Sequence, residues 1–118
     1  MNPAARGRAG EQIAEEHLRA KGYEVLARNF RVRAGEIDIV ALRDGVIVFV
    51  EVKCRASAAF APPGAAVTAR KRAHMRTAAS LWLAGHDGDR LPARFDVIEV
   101  ILGLPDKAPR IHHIVDAF

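Results

Sequence analysis

Asp38, Glu51 and Lys53 have the residue types and spacing for chemistry. Asp38 lies in Gly35-Glu36-Ile37-Asp38-Ile39-Val40, and Glu51 and Lys53 stand two residues apart in Val48-Phe49-Val50-Glu51-Val52-Lys53. Both segments are apolar and β-branched, as strands are, and a strand points successive side chains to opposite faces. Glu51 and Lys53 therefore share one face while Val50 and Val52 take the other. Charges set into an otherwise apolar sheet are costly unless something offsets them. A metal ion held by the carboxylates with the lysine beside it, or an open cleft, is the simplest arrangement that does so.

The elements that must position these residues follow from periodicity. Residues 6–21 read as a helix closed by Gly22, because Ala9, Ile13, Ala14 and Leu18 fall on one arc. Residues 23–32 alternate loosely and read as a first strand. Residues 37–42 and 46–53 read as two antiparallel strands joined at Asp44-Gly45, a hairpin turn signal. Residues 54–66 turn to Ala, Ser, Pro and Gly and read as a mobile surface loop. Thr68 is placed to cap a second helix through about residue 84, with Met75, Ala78, Ala79 and Trp82 facing the core and Gly85 closing it. Residues 95–102 read as a buried strand and residues 111–115 as a short edge strand. The order is helix, three strands, helix, then one or two strands, an α/β layer arrangement with a mixed sheet.

At 118 residues, without a repeat, the chain reads as one domain spanning 1–118. Half of it is apolar and 27% charged, the profile of a soluble globular protein. A net charge of +4 and a pI near 9.8 lean towards a polyanionic partner. The single cysteine, Cys54, excludes an intrachain disulfide framework and suits the reducing cytosol. No apolar run reaches the length of a membrane span, and the first residues lack the apolar core of a signal peptide, so a cytoplasmic location is expected.

This order, with Asp38, Glu51 and Lys53 so placed, resembles the PD-(D/E)XK nuclease superfamily with its restriction-endonuclease-like core. The chain is most similar to the YraN-like family of small bacterial proteins. The matching segments are Gly7-x-x-Gly10-Glu11, Gly22-Tyr23, Arg28-Asn29, Gly35-Glu36-Ile37-Asp38, Phe49-Val50-Glu51-Val52-Lys53-x-Arg55, Val67-x-x-x-Lys71, Arg94-Phe95-Asp96-Val97 and the terminal Ala117-Phe118. The resemblance implies that Asp38 and Glu51 bind a divalent metal, Mg²⁺ or Mn²⁺, that the backbone carbonyl of Val52 adds a ligand, and that Lys53 assists phosphodiester hydrolysis. Archaeal Holliday junction resolvases of that superfamily carry a Glu on the first helix, and Glu11 matches its distance from the glycine–aromatic pair. The superfamily's Pro before Asp is Ile37 here.

The chemistry of the residues is compatible with that implication. Mg²⁺ prefers hard oxygen ligands and keeps several waters, so two or three carboxylates leave room for a phosphate oxygen and an attacking water. Lys53, a compact cation, could orient that water and offset charge in the transition state. The ordinary alternative for Glu51 and Lys53 is an edge strand whose alternate residues face water, with a cross-strand charge pair to Asp38. Glu11 sits about 20° beyond Leu18 on the helical wheel, where it could reach the charged face of the sheet, or serve only as a first-turn acid. Glu36 shares Asp38's face by strand parity, whereas Glu15 and Glu16 read as solvated. Arg70, Lys71, Arg72, His74 and Arg76, with Arg6, Arg8, Arg28, Arg31, Arg33 and Arg55, supply a basic surface. Lys71 and Arg55 flank the proposed site and match the family's pattern, so DNA contact is assigned to them. Cys54 alternates away from Glu51 and Lys53 and reads as inert, and the five histidines read as structural or surface residues.

The expected function is a metal-dependent DNA endonuclease acting on branched or otherwise non-standard duplexes, for which a two-fold homodimer would suit paired cuts. A non-catalytic protein that keeps the nuclease fold to bind nucleic acid or a partner, and a hydrolase of small phosphate compounds, are the rivals.

Overall fold

The computed structural model describes residues 2–56, 67–86, 90–103 and 106–118. In chain order the elements are α1 (Pro3–Ala20), β1 (Glu24–Val32), β2 (Gly35–Arg43), β3 (Val46–Arg55), α2 (Ala69–Gly85), β4 (Ala93–Ile101) and β5 (Arg110–Ile114). The strands form one sheet in the order β1-β2-β3-β4-β5. Among the described residues, β3 and β4 alone pair in parallel, and a parallel pair needs a crossover, which α2 provides. This is the α/β, mixed-sheet, restriction-endonuclease-like core expected from the element order.

Helix α1 starts at Pro3, ahead of the predicted residue 6, because Asn2 caps it by accepting from Ala5 N–H at 2.8 Å and proline is tolerated at the first position. Thr68 caps α2 as expected, accepting from Lys71 N–H at 3.2 Å. The predicted stripe Met75, Ala78, Ala79 and Trp82 is buried. Asp44 and Gly45 turn the β2–β3 hairpin with φ of 50° and 75°.

The sheet has a core on each face. Val48 and Val50 of β3 join Ala14, Leu18 and Ile98 on the α1 side, while Ile47 and Phe49 join Met75, Ala78 and Trp82 on the other. A strand buried on both faces reads as a continuous apolar run, and each such side chain contributes roughly 1.5–3 kcal/mol. Strand β3 is thus central, and the edge-strand reading of Glu51 and Lys53 is excluded. It also runs past the predicted residue 53, because Cys54 and Arg55 continue the ladder opposite Val100 and Ile101 of β4. The loop expected at residues 54–66 therefore begins later, and its residues 57–66 lie outside the described residues.

Candidate active site

Strands β2 and β3 pair from the hairpin up to Ile39–Val50 and no further. Beyond that point β2 stays with β1 and β3 stays with β4, so the sheet forks. Asp38 and Glu51 are the first residues past the last pair, one on each branch. The pleat also slips there: Ile37 packs in the α2-side core and Ile39, two residues on, in the α1-side core. Opposite the slip, Asn29 of β1 takes a left-handed conformation at φ 50°, between the pairs Arg28–Ile39 and Phe30–Ile37.

In the fork, Asp38 Oδ2 accepts from Val52 N–H at 2.8 Å. The carboxylate thereby takes a backbone donor of β3 beyond the last pair to β2. Glu51, 3% exposed, points to the α2 side, where its Oε1 lies 2.8 Å from Lys71 Nζ and 3.4 Å from Lys53 Nζ. The charge partners of Glu51 are therefore two lysines, and Lys53, which the ordinary alternative would pair with Asp38 across the strands, lies on Glu51 instead.

Two glycines bring the helices this close. A Cβ on Gly10 would lie 2.5 Å from Cys54 Cβ, so only glycine lets α1 settle on the end of β3 and carry Glu11 over the fork. A Cβ on Gly35 would lie 2.7 Å from the His74 carbonyl oxygen, so glycine there lets the end of β2 touch α2, one turn from Lys71.

The result is a cavity of about 310 Å³, open to solvent, with Glu11, Glu36, Asp38, Glu51 and Val52 in its lining and Arg6 and Arg31 beside them. Glu11 thus reaches the charged region as its wheel position allowed. Burial pushes the Asp38 carboxyl up, and with the negative charges of Glu51, Glu11 and Glu36 outweighing the Val52 hydrogen bond it reaches about 7. Burial and the charges of Glu36 and Glu51 likewise raise Glu11, against the pull of Arg31. Burial opposes the charge on Lys71, but the hydrogen bond and charge of Glu51 outweigh it and raise its pKa. Among the described residues, no three His, Cys, Asp or Glu side chains form a group placed to hold a metal ion.

Much of the basic surface read from the sequence is engaged within the fold. Glu15, predicted to be solvated, instead receives Arg28 Nε at 2.8 Å and Arg19 Nη2 at 3.0 Å. Arg31 pairs with Glu36 at 3.1 Å, and Arg55 lies 3.4 Å from Glu99. Arg72 and Arg76 stack over the Phe118 ring at 5.5 and 5.3 Å. Sequence reasoning gave Lys71 a contact with DNA and missed its pairing with Glu51, which depends on the i, i+4 continuation of the buried stripe from Met75 back to Lys71. It also missed two further buried carboxylates on β4, Asp96 and Glu99; for Asp96 its place in the segment Arg94-Phe95-Asp96-Val97 was the available signal.

Residues 10–100 match the model of the uncharacterised protein family UPF0102. A UPF0102 protein of Symbiobacterium thermophilum is 50% identical over 112 residues, covering 95% of this chain and 94% of that one. Another, from Caldicellulosiruptor bescii, is 43% identical over 119 residues and all of both chains. A third, from Trichlorobacter lovleyi, is 47% identical over 113 residues, covering 95% of this chain and 88% of the relative. With the fork of the sheet and its acidic pair in place, the chain belongs to the UPF0102, YraN-like family, part of the PD-(D/E)XK nuclease superfamily.

Proposed function

We propose that the protein is a divalent-metal-dependent endonuclease that hydrolyses phosphodiesters in branched or otherwise non-standard DNA, in the cytoplasm, during repair or recombination. The observation that carries this reading is the fork, which sets Asp38 and Glu51 at one point of an open cavity with Lys53 on Glu51. The residues suit a hard cation. Their donors are oxygens, and burial together with carboxylate crowding lifts Asp38 to about 7, a cost that a positive ion would offset. Bound Mg²⁺ or Mn²⁺ would supply Lewis-acid polarisation of a phosphate oxygen and a water of lowered pKa.

Asp38 and Glu51 hold the ion, with the Val52 carbonyl as a further donor. Lys53, its side chain 24% exposed, keeps its ammonium beside Glu51 of the cavity wall, from where it orients the attacking water and offsets the charge that builds on the phosphate. Glu11 and Glu36 add negative charge at the α1 side. Lys71 and Arg55 contact the DNA backbone, and a homodimer would pair two such sites. The open cavity suits a long polymer better than a small phosphate compound, for which a closed pocket is expected.

One observation favours a second reading. Glu51 already has two ammonium partners, the arrangement expected of a nuclease fold kept only for binding. Metal separates the two readings. Mn²⁺ at a hundred times its Kd should stabilise the wild-type protein by about 2.7 kcal/mol in a melting experiment. An identical response from the Asp38→Asn, Glu51→Gln double variant would show that these carboxylates hold no metal.

A further inference from the structure

Lys71 occupies a position where helix geometry normally puts an apolar side chain. It lies one turn before Met75, so it extends the buried stripe of α2 towards the helix start. The first turn is anchored independently of its side chain: Thr68 accepts from Lys71 N–H, Arg72 Nε reaches the Val67 carbonyl at 3.2 Å, and Val67 is buried. The lysine is therefore directed onto the sheet rather than left to find solvent, and it meets Glu51 at 2.8 Å.

Glu51 Oε1 also faces Lys53, so a divalent ion can use that oxygen only if an ammonium withdraws. The two lysines are unequally free to do so. Lys53 stands on the central strand two residues from Glu51, with its side chain 24% exposed, whereas Lys71 comes from a helix and is 42% exposed. A phosphate arriving at the open cavity offers Lys71 a second anion within the reach of its flexible stem.

We infer that Lys71 is a placeholder cation, occupying Glu51 when no metal is bound and passing to a substrate phosphate when a divalent ion takes Glu51. It then acts as a positioning residue that makes metal and DNA binding favour each other. This rests on the proposed metal-dependent reading of the same site. Linkage requires the coupling to be reciprocal: DNA tightens metal binding by the factor by which metal tightens DNA binding.

The test is Mn²⁺ affinity, read by electron paramagnetic resonance of the free ion, with and without a short DNA duplex. In protein alone, Lys71→Met should bind Mn²⁺ about fivefold tighter than wild type, because a competing cation is gone. Lys71→Arg should stay close to wild type. The duplex should tighten Mn²⁺ binding to wild type by a clearly larger factor than to Lys71→Met, which keeps only the direct contact of the ion with a phosphate oxygen. Far-UV circular dichroism checks the fold, and Lys71→Gln replaces Lys71→Met if that variant does not fold. If wild type binds Mn²⁺ and neutralising Lys71 leaves the affinity unchanged or weakens it, Lys71 is only a structural ion pair, and the metal site stands without it. If wild type binds no Mn²⁺, the metal site and the placeholder fall together.

Discussion

The protein draws in aspartates at two places, Asp96 fully buried and Asp38 partly so, and treats them in opposite ways. Asp96, fully buried on β4, receives Arg94 Nε at 3.0 Å, His113 Nε2 at 2.8 Å and the Asp116 N–H at 2.9 Å. Burial works to raise its pKa, but these partners outweigh it and hold the carboxyl below its ordinary value. Arg94 is steadied in turn by the Tyr23 hydroxyl at 2.8 Å, and the Ala117 N–H bonds the Phe95 carbonyl at 2.7 Å, so the network ties down the end of the chain. Asp38 has the Val52 N–H and feels the Lys71 ammonium, but burial and the carboxylates of Glu51, Glu11 and Glu36 outweigh them and raise its pKa. A buried acid surrounded by donors is a fastening. A partly buried acid crowded mainly by other acids gains from a cation, and the proposed function turns on that difference.

Substitution should expose the contrast most strongly in stability. Asp96→Ala leaves Arg94 and His113 without their buried partner and should lose about 3–5 kcal/mol in urea denaturation. Asp38→Asn should leave the metal-free protein at neutral pH as stable as wild type or more so, because it removes a repelled charge. Equal losses at both positions would make Asp38 a structural group like Asp96.

The two acids should also respond oppositely to pH. Asp38 titrates near 3.8 when unfolded and near 7 when folded, so between those values the folded protein binds more protons. Its contribution is greatest below 3.8 and is lost as pH rises towards 7. Asp96 has a lowered folded pKa, so its contribution is present above 3.8 and fades as pH falls below that value. Urea midpoints of metal-free protein from pH 4 to 8 should show a downward trend that Asp38→Asn flattens. A trend unchanged in that variant would assign the effect to another group.

The smallest effect concerns the cations. With metal bound, Lys71→Ala should lower the slope of log affinity for DNA against log salt by about 0.9, the value for one phosphate contact. Arg94→Gln, at an arginine engaged by Asp96 and Tyr23, should leave the slope alone. A change at Arg94 as large as at Lys71 would erase the distinction between the two regions for DNA.

Local signals in the sequence were enough for the hairpin at Asp44-Gly45, the cap at Thr68 and the stripe Met75-Ala78-Ala79-Trp82, because each depends on residues within a turn or two. Glu51 and Lys53 were likewise readable as sharing a face, since strand parity is local. The fork was not legible: it depends on where β2 stops pairing with β3, and no residue between Ile37 and Val40 announces the slip at Asp38. The extension of β3 through Arg55 depends on partners in β4 nearly fifty residues away. Glu15 with Arg28 and Asp96 with His113 join residues 13 and 17 apart on different elements, so neither helical nor strand spacing could place them.

The most direct test of the account is cleavage by Lys53→Ala, measured beside its Mn²⁺ stabilisation and DNA binding on a panel of branched, single-stranded and duplex DNAs. The account expects cleavage to be abolished while metal stabilisation and DNA binding stay close to wild type, because Lys53 acts on the transition state whereas Asp38 and Glu51 hold the metal in the ground state. Wild-type cleavage rates from Lys53→Ala would contradict the assigned site. A wild-type protein that binds metal and DNA but cuts none of the panel would contradict the nuclease reading itself.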